Sequence, residues 1–366
     1  MAFGCSGTPI GINIPNYDDI RQDEGFKNVN LGNVYPRPNK ATIQFLGEAD
    51  KDMLVRYSKE SLTLIVALHE LLGHGTGKLF QLNEQGEKNW DPSVKNPFTG
   101  ENITTCYAAT ETWSQKFGKM HSGYEECRAD SVALHLIQFP EPFQIFCKLS
   151  VILRSSNFIC FLGPGMESEW DDIYYTCWLE MLYQAIRGML YYDPEKKIWG
   201  QAHVLASWVI FQAVREGDPE LISFEFYTTE DGKDMFTMKV NRERIREHGF
   251  AALDAFLHKL HVYKSIGDYD TAKEFFDHYS QVDETMLRIQ KIVIANKLPR
   301  RLELQPNLRL ENGPDGGQKV SYVGYEPNFD GIVQSYIERW PGAFMADVYA
   351  EWIKDADKVR VAARQN

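Results

Sequence analysis

His69-Glu70-Leu71-Leu72-Gly73-His74 gathers two imidazoles and a carboxylate within one short stretch. These are the parts of a metal-assisted hydrolase: neutral imidazole nitrogens ligate zinc, and a carboxylate beside them accepts the proton of an activated water. The common HExxH spacing sets its histidines about 40° apart around a helix of 3.6 residues per turn, whereas a separation of five splays them by about 140°. Both can serve one ion only if the helix takes in an extra residue, as in a single wide π-type turn. Gly73, tolerant of unusual backbone angles, sits where that adjustment falls. The plain alternatives are a chance match, roughly one per thousand chains of this composition, and a His74 that merely caps a helix end.

Catalytic zinc takes three protein ligands and leaves a position open. Tyr124-Glu125-Glu126-Cys127-Arg128-Ala129-Asp130, leading into an apolar helical pattern, offers the third. Glu125 and Glu126 leave a helix in different directions, so at most one binds the metal. The other, with Asp130 one turn on, can orient a ligand histidine through its free ring N–H. The structural alternative is an acidic first turn favoured by the helix dipole.

These side chains need helices to hold them. Helical periodicity marks 58–75, where Ser58 and Ser61 are available as caps and Gly75 and Gly77 as stops, and then 108–138, 171–192, 200–216, 251–263 and 270–296. Residues 221–240 read as a β-hairpin turning at Asp231-Gly232. The first 45 residues read as loop and short strand, and 81–105 as a polar surface loop. After Lys297-Leu298-Pro299, strand patterns and two closing amphipathic helices at 328–340 and 342–362 follow.

With 366 residues the chain has room for two or three domains, and 43% hydrophobic with 25% charged residues is an ordinary globular composition. A formal charge of −12 argues against nucleic acid as a partner and suits cationic guests. Cys5, Cys106, Cys127, Cys147, Cys160 and Cys177 form no CxxC pair and read as buried free thiols of a reducing compartment. The opening residues carry no basic leader, and the apolar run 204–211 is too short for a membrane span. Asn102-Ile103-Thr104 then reads as a chance sequon. The expected compartment is the cytoplasm.

HExxGH followed by EExRA(D/E) resembles the dipeptidyl-peptidase III family of zinc exopeptidases. Gly11-Ile12-Asn13-Ile14-Pro15-Asn16-Tyr17-Asp18-Asp19, Glu111-Thr112-Trp113, Gln201-Ala202-His203 and Gln305-Pro306-Asn307 are similar to its blocks. The resemblance implies one Zn2+ per chain on His69, His74 and Glu126, with Glu70 as general base and Glu125 behind the ligands. It implies His203 as the stabiliser of the charged intermediate; taken alone, that residue reads as a core histidine of an amphipathic helix. Asn13, Asn16 and Arg300 would hold substrate, with Arg301 adjacent to the last assignment. The implied substrates are short peptides with a free N-terminus. A zinc- and peptide-binding lobe without turnover, or a zinc endopeptidase, are the alternative functions.

The resemblance further implies the C-terminal half of a longer, two-lobed enzyme. The expected fold is mainly α: a helical zinc-binding lobe over 43–299 with small β elements, and partial α/β segments of a second lobe over 1–42 and 300–366. A monomer is expected. Vertebrate members carry an ETGE tetrapeptide that binds a Kelch-type adaptor. Phe98-Thr99-Gly100-Glu101 lacks its leading acid, so no such binding is expected.

Overall fold

The computed structural model of the chain describes residues 10–14, 20–21, 24–32, 35, 38–145, 169–298, 306–312 and 317–340, with isolated positions from 342 to 351. It divides into two compact units, Met1–Lys297 and Leu298–Asn366.

The fold is mainly α. Helix α1 (Glu48–Leu68) starts at Gly47, with Glu48 and Asp50 in the first turn, where the helix dipole favours acids. It begins ten residues before the expected start at 58, because the preceding residues are themselves good helix formers. Leu54, Tyr57, Ser61, Leu64 and Leu68 recur at three- and four-residue intervals and form its buried stripe. Ser58 and Ser61 are therefore interior to the helix and cap nothing. Their hydroxyls donate to Glu180 at 2.5 and 2.8 Å.

The expected helical stretch 108–138 is two helices, α2 (Trp113–Phe117) and α3 (His121–Leu136), separated at Gly118, whose φ of 52° L-residues rarely adopt. Thr112 and Gln115 close α2 with a reciprocal capping box. Next come α4 (Trp170–Arg187) and α5 (Ala202–Gly217), the latter capped by the Gln201 side chain on Val204 N–H at 2.6 Å. After α6 (Phe250–Ser265), the expected 270–296 helix is α7 (Tyr269–Ser280) and α8 (Glu284–Ala295). Gln281 is extended there, and Asp283 caps a new start on Met286 N–H.

Helix α1 packs on α4, α4 on α5, α5 on α3, and α3 on α6. Trp178, Trp208, Tyr124 and Phe211 fill the core between them with no exposed surface to speak of. Every sheet among the described residues is a two-stranded antiparallel hairpin. In the first unit β1 (Gly11–Ile14) pairs with β2 (Lys27–Asn30), β3 (Tyr192–Asp193) with β4 (Ile198–Trp199), and β5 (Ile222–Thr228) with β6 (Asp234–Val240). The β5–β6 turn is the expected one, with Gly232 at φ 82°. In the polar 81–105 loop, Trp90 is buried by stacking on Phe80 at 5.0 Å.

The second unit holds β7 (Asn307–Asn312), β8 (Gln318–Val323) and α9 (Phe329–Arg339). Asn307 joins them, donating to Tyr325 Oη at 2.6 Å and the Ser335 carbonyl at 2.9 Å. Apart from isolated positions, the expected 342–362 helix lies outside the described residues. Of the cysteines, Cys127 and Cys177 are buried free thiols and Cys106 is a half-buried one. Cys5, Cys147 and Cys160 lie outside the described residues. No helix among the described residues is long and apolar enough to cross a membrane.

Candidate metal centre

At the end of α1 the helix widens. His69–Gly73 is a π-helical turn in which His74 N–H donates to the His69 carbonyl, five residues back, at 2.9 Å. The extra residue carries His74 round to the face of His69, and the two rings meet edge-on with centroids 4.6 Å apart. Gly73 serves this turn differently from expectation. Its φ is not positive, and a Cβ there would lie 2.8 Å from both Cα and Cβ of Ala129. Glycine is required so that the turn can press against α3, which bears Glu125, Glu126 and Asp130.

Glu126 Oε2 lies 3.2 Å from His69 Nε2 and 3.6 Å from His74 Nε2. The three ligand atoms fall within 4.8 Å of one another, the one such group of His, Cys, Asp or Glu among the described residues. Tetrahedral zinc with bonds of about 2.0–2.2 Å sets its ligand atoms about 3.3–3.6 Å apart, close to these separations. Glu126 Oε2 is buried, and none of its imidazole neighbours meets it with hydrogen-bond geometry. Lone pairs converging on a point without mutual hydrogen bonds are what a cation requires, so the residues fit a metal ion.

Each imidazole is held from behind. His69 Nδ1 lies 2.7 Å from Asp130 Oδ1, and His74 Nδ1 lies 3.1 Å from Glu125 Oε1. Carboxylates in those positions accept the Nδ1 proton and leave Nε2 free to ligate. Glu125 is itself held: Arg128 donates through Nε at 3.0 Å and Nη2 at 2.5 Å, and Lys264 through Nζ at 2.6 Å. Arg128 Nη2 also donates to the Gly73 carbonyl at 2.6 Å, which ties α3 to the π turn. The Glu125–Arg128 pair was open to sequence reasoning through its i,i+3 spacing. Lys264, far away in the chain, carried no such signal.

His203 stands in the first turn of α5, with Nδ1 3.2 Å from Glu126 Oε2 and its side chain 51% exposed. It faces both the metal group and solvent, and is not a core histidine. Glu70 is buried within the π turn. Strand β1 crosses directly over it: a Cβ on Gly11 would come within 2.4 Å of Glu70 Oε1. Asn13, also buried, donates to the Glu70 carbonyl at 2.8 Å and to Asn28 Oδ1 at 2.7 Å. The Glu70 carbonyl is one of those a helix end leaves open, so Asn13 serves the turn. Asn13 Oδ1 is buried with no hydrogen-bond partner among the described residues. Asn16, Arg300 and Arg301 lie outside the described residues.

The electrostatics follow from burial and crowding. Burial raises the Glu70 carboxyl, opposed by the charges of His69 and His74. Burial would also raise Glu126, but His203, His69 and His74 outweigh it and hold Glu126 well below the carboxylate range. Burial lowers His69, yet Asp130 and Glu126 more than reverse this and bring it to about 10. His74 is raised the same way, against burial, by Glu125 and Glu126. These directions belong to the metal-free side chains; a cation at the Nε2 atoms displaces the protons that they favour.

A family model described as peptidase family M49 matches residues 1–340. The chain belongs to peptidase family M49. The chain is 40% identical over 345 residues to dipeptidyl peptidase 3 of Nematostella vectensis, covering 93% of this chain and 44% of that protein. To dipeptidyl peptidase 3 of Homo sapiens it is 39% identical over 350 residues, with the same two coverages, 93% and 44%. The chain thus spans less than half the length of these curated relatives. A solved structure of DPP III from Caldithrix abyssi aligns with a TM-score of 0.45 and 18% identity, over 78% of this chain and 42% of that one.

Proposed function

We propose that this chain performs the chemistry of a zinc-dependent dipeptidyl peptidase, releasing dipeptides from the free N-termini of short peptides. The observation that carries the reading is the convergence of His69, His74 and Glu126 on one point, with Glu70 buried in the same turn. Zinc held by those three side chains would polarise water and the scissile carbonyl.

Glu70, whose proton affinity burial raises, takes the proton of the attacking water and returns it to the leaving amine. His203, open to solvent beside Glu126, donates to the developing oxyanion. Asp130 and Glu125 hold the Nδ1 protons of His69 and His74. Asn13 Oδ1, unpartnered among the described residues, accepts a peptide N–H. The family resemblance assigns Asn16 and Arg300 to substrate as well. The proposal includes one zinc per chain, a cytoplasmic monomer and no Kelch-type adaptor. It also includes a preference for cationic peptides, drawn by the net charge of −12.

Glu70→Ala is the decisive variant. It should keep one zinc per chain by metal analysis while dipeptide release, followed by mass spectrometry, falls by about 10²–10⁴-fold. Equal release by the variant would refute the reading. A wild-type chain that holds zinc and releases nothing would support a binding lobe without turnover. Cleavage of N-terminally blocked peptides would indicate an endopeptidase instead.

A further inference from the structure

Lys264 is 3% exposed, in the last turn of α6, an element that carries none of the proposed ligands. Burying an ammonium is costly unless something specific holds it. Nζ donates to Glu125 Oε2 at 2.6 Å and lies 4.9 Å from the Trp113 ring centre, and the Lys264 carbonyl accepts from Tyr107 Oη at 2.7 Å and Gly267 N–H at 3.1 Å. The lysine is therefore fixed at both its backbone and its tip.

The division of labour on Glu125 explains the need for it. Arg128, fully buried, reaches both carboxylate oxygens, through Nε to Oε2 and Nη2 to Oε1. Oε1 is also the oxygen that faces His74 Nδ1. A second cation on Oε2 anchors the far side of the carboxylate and balances the pull of the guanidinium, so that Oε1 stays turned toward the imidazole. We infer that Lys264 is a positioning residue for His74: acting only through Glu125, it fixes the ring so that Nε2 points at the metal locus. The inference rests on the metal-site reading above.

The test is zinc affinity by competition with a chromophoric chelator, on folded protein, with no assay of turnover. Lys264→Met keeps the apolar stem and removes the charge, and it should weaken zinc by about tenfold or more, within the range for losing an outer-shell partner. Lys264→Arg should recover most of that loss. The double variant Glu125→Gln/Lys264→Met should bind zinc as Glu125→Gln does, because the lysine has nothing left to act through. That last comparison can be read even if Lys264→Met alone fails to fold, since neither of its two variants carries the Glu125 charge that the lysine neutralises. An affinity in folded Lys264→Met within twofold of wild type would overturn the inference, as would a further tenfold loss in the double variant over Glu125→Gln. If the wild-type chain takes up no zinc at all, the metal-site reading itself fails and takes this inference with it.

Discussion

Asp130 and Glu125 stand behind the proposed metal locus, yet the two imidazoles have no fixed tautomer without them. His69 Nδ1 is 2.7 Å from Asp130, whereas His74 faces a carboxylate shared with Arg128 and Lys264. Asp130→Asn should therefore weaken zinc by about 10–100-fold while leaving the Glu125 cluster intact. Chelator competition measures this, and a change below twofold would remove Asp130 from the ligand-orienting role. The adjacent acids of the motif are separated by geometry: Glu126 projects toward both Nε2 atoms, and Glu125 toward a buried cationic pair. Their divergence was legible from helical geometry. Which of the two faces the ligand atoms depends on the rotation of α3 against the π turn, which close packing at Gly73 and Ala129 determines.

At the scale of elements, helix α1, which leads into the π turn, is clamped to α4 through Glu180, which accepts from Ser58 and Ser61. Part of Glu180 remains accessible, but its carboxylate sits between buried hydroxyls, and burial pushes its pKa from 4.5 up to about 7, against those two hydrogen bonds. An acid with a higher pKa folded than unfolded binds more protons in the folded state. Its contribution is intact below about 4.5 and is lost as pH rises through about 7. Glu180→Gln removes this titration. In metal-free protein, its stability relative to wild type should rise by about 1–3 kcal/mol from acid to neutral pH. Urea unfolding at both ends of that window checks it, and a difference independent of pH would show that the carboxyl is not perturbed. The same clamp accounts for the two serines that sequence reasoning read as caps. A hydroxyl inside a helix becomes intelligible only when the opposite helix supplies its acceptor.

For the molecule as a whole, the proposed ion would join elements that the chain keeps far apart: the π turn after α1 and helix α3, with His203 of α5 alongside. A ligand bound only by the folded state stabilises it by about 4 kcal/mol at a thousandfold excess over its dissociation constant. For a unit of this size, chelation should lower the melting temperature by roughly 5–10 °C. Calorimetry with and without chelator reads the shift. Glu126→Ala should show little of it, and an equal shift in that variant would place the stabilising ion elsewhere. The acidic balance of the chain, −12, gives a cation further reason to bind, but only the three convergent donors give it a place.

Residue types and spacing by themselves determined which groups are on offer: two imidazoles five apart, a neighbouring carboxylate, and a later acidic pair. They also implied the wide turn, because a regular helix cannot bring such histidines together. Helix periodicity located most elements, since apolar stripes are local. Their ends were less visible where a cap or break competes with a continuing pattern, as at Gln281 and Gly118. Only the tertiary structure decided the contacts between distant segments: Lys264 behind Glu125, Gly11 and Asn13 of β1 over Glu70, and Ala129 against Gly73. A close approach or a buried ion pair between remote residues leaves no periodic trace in the chain. It exists only once helices have packed and the space between them has been fixed.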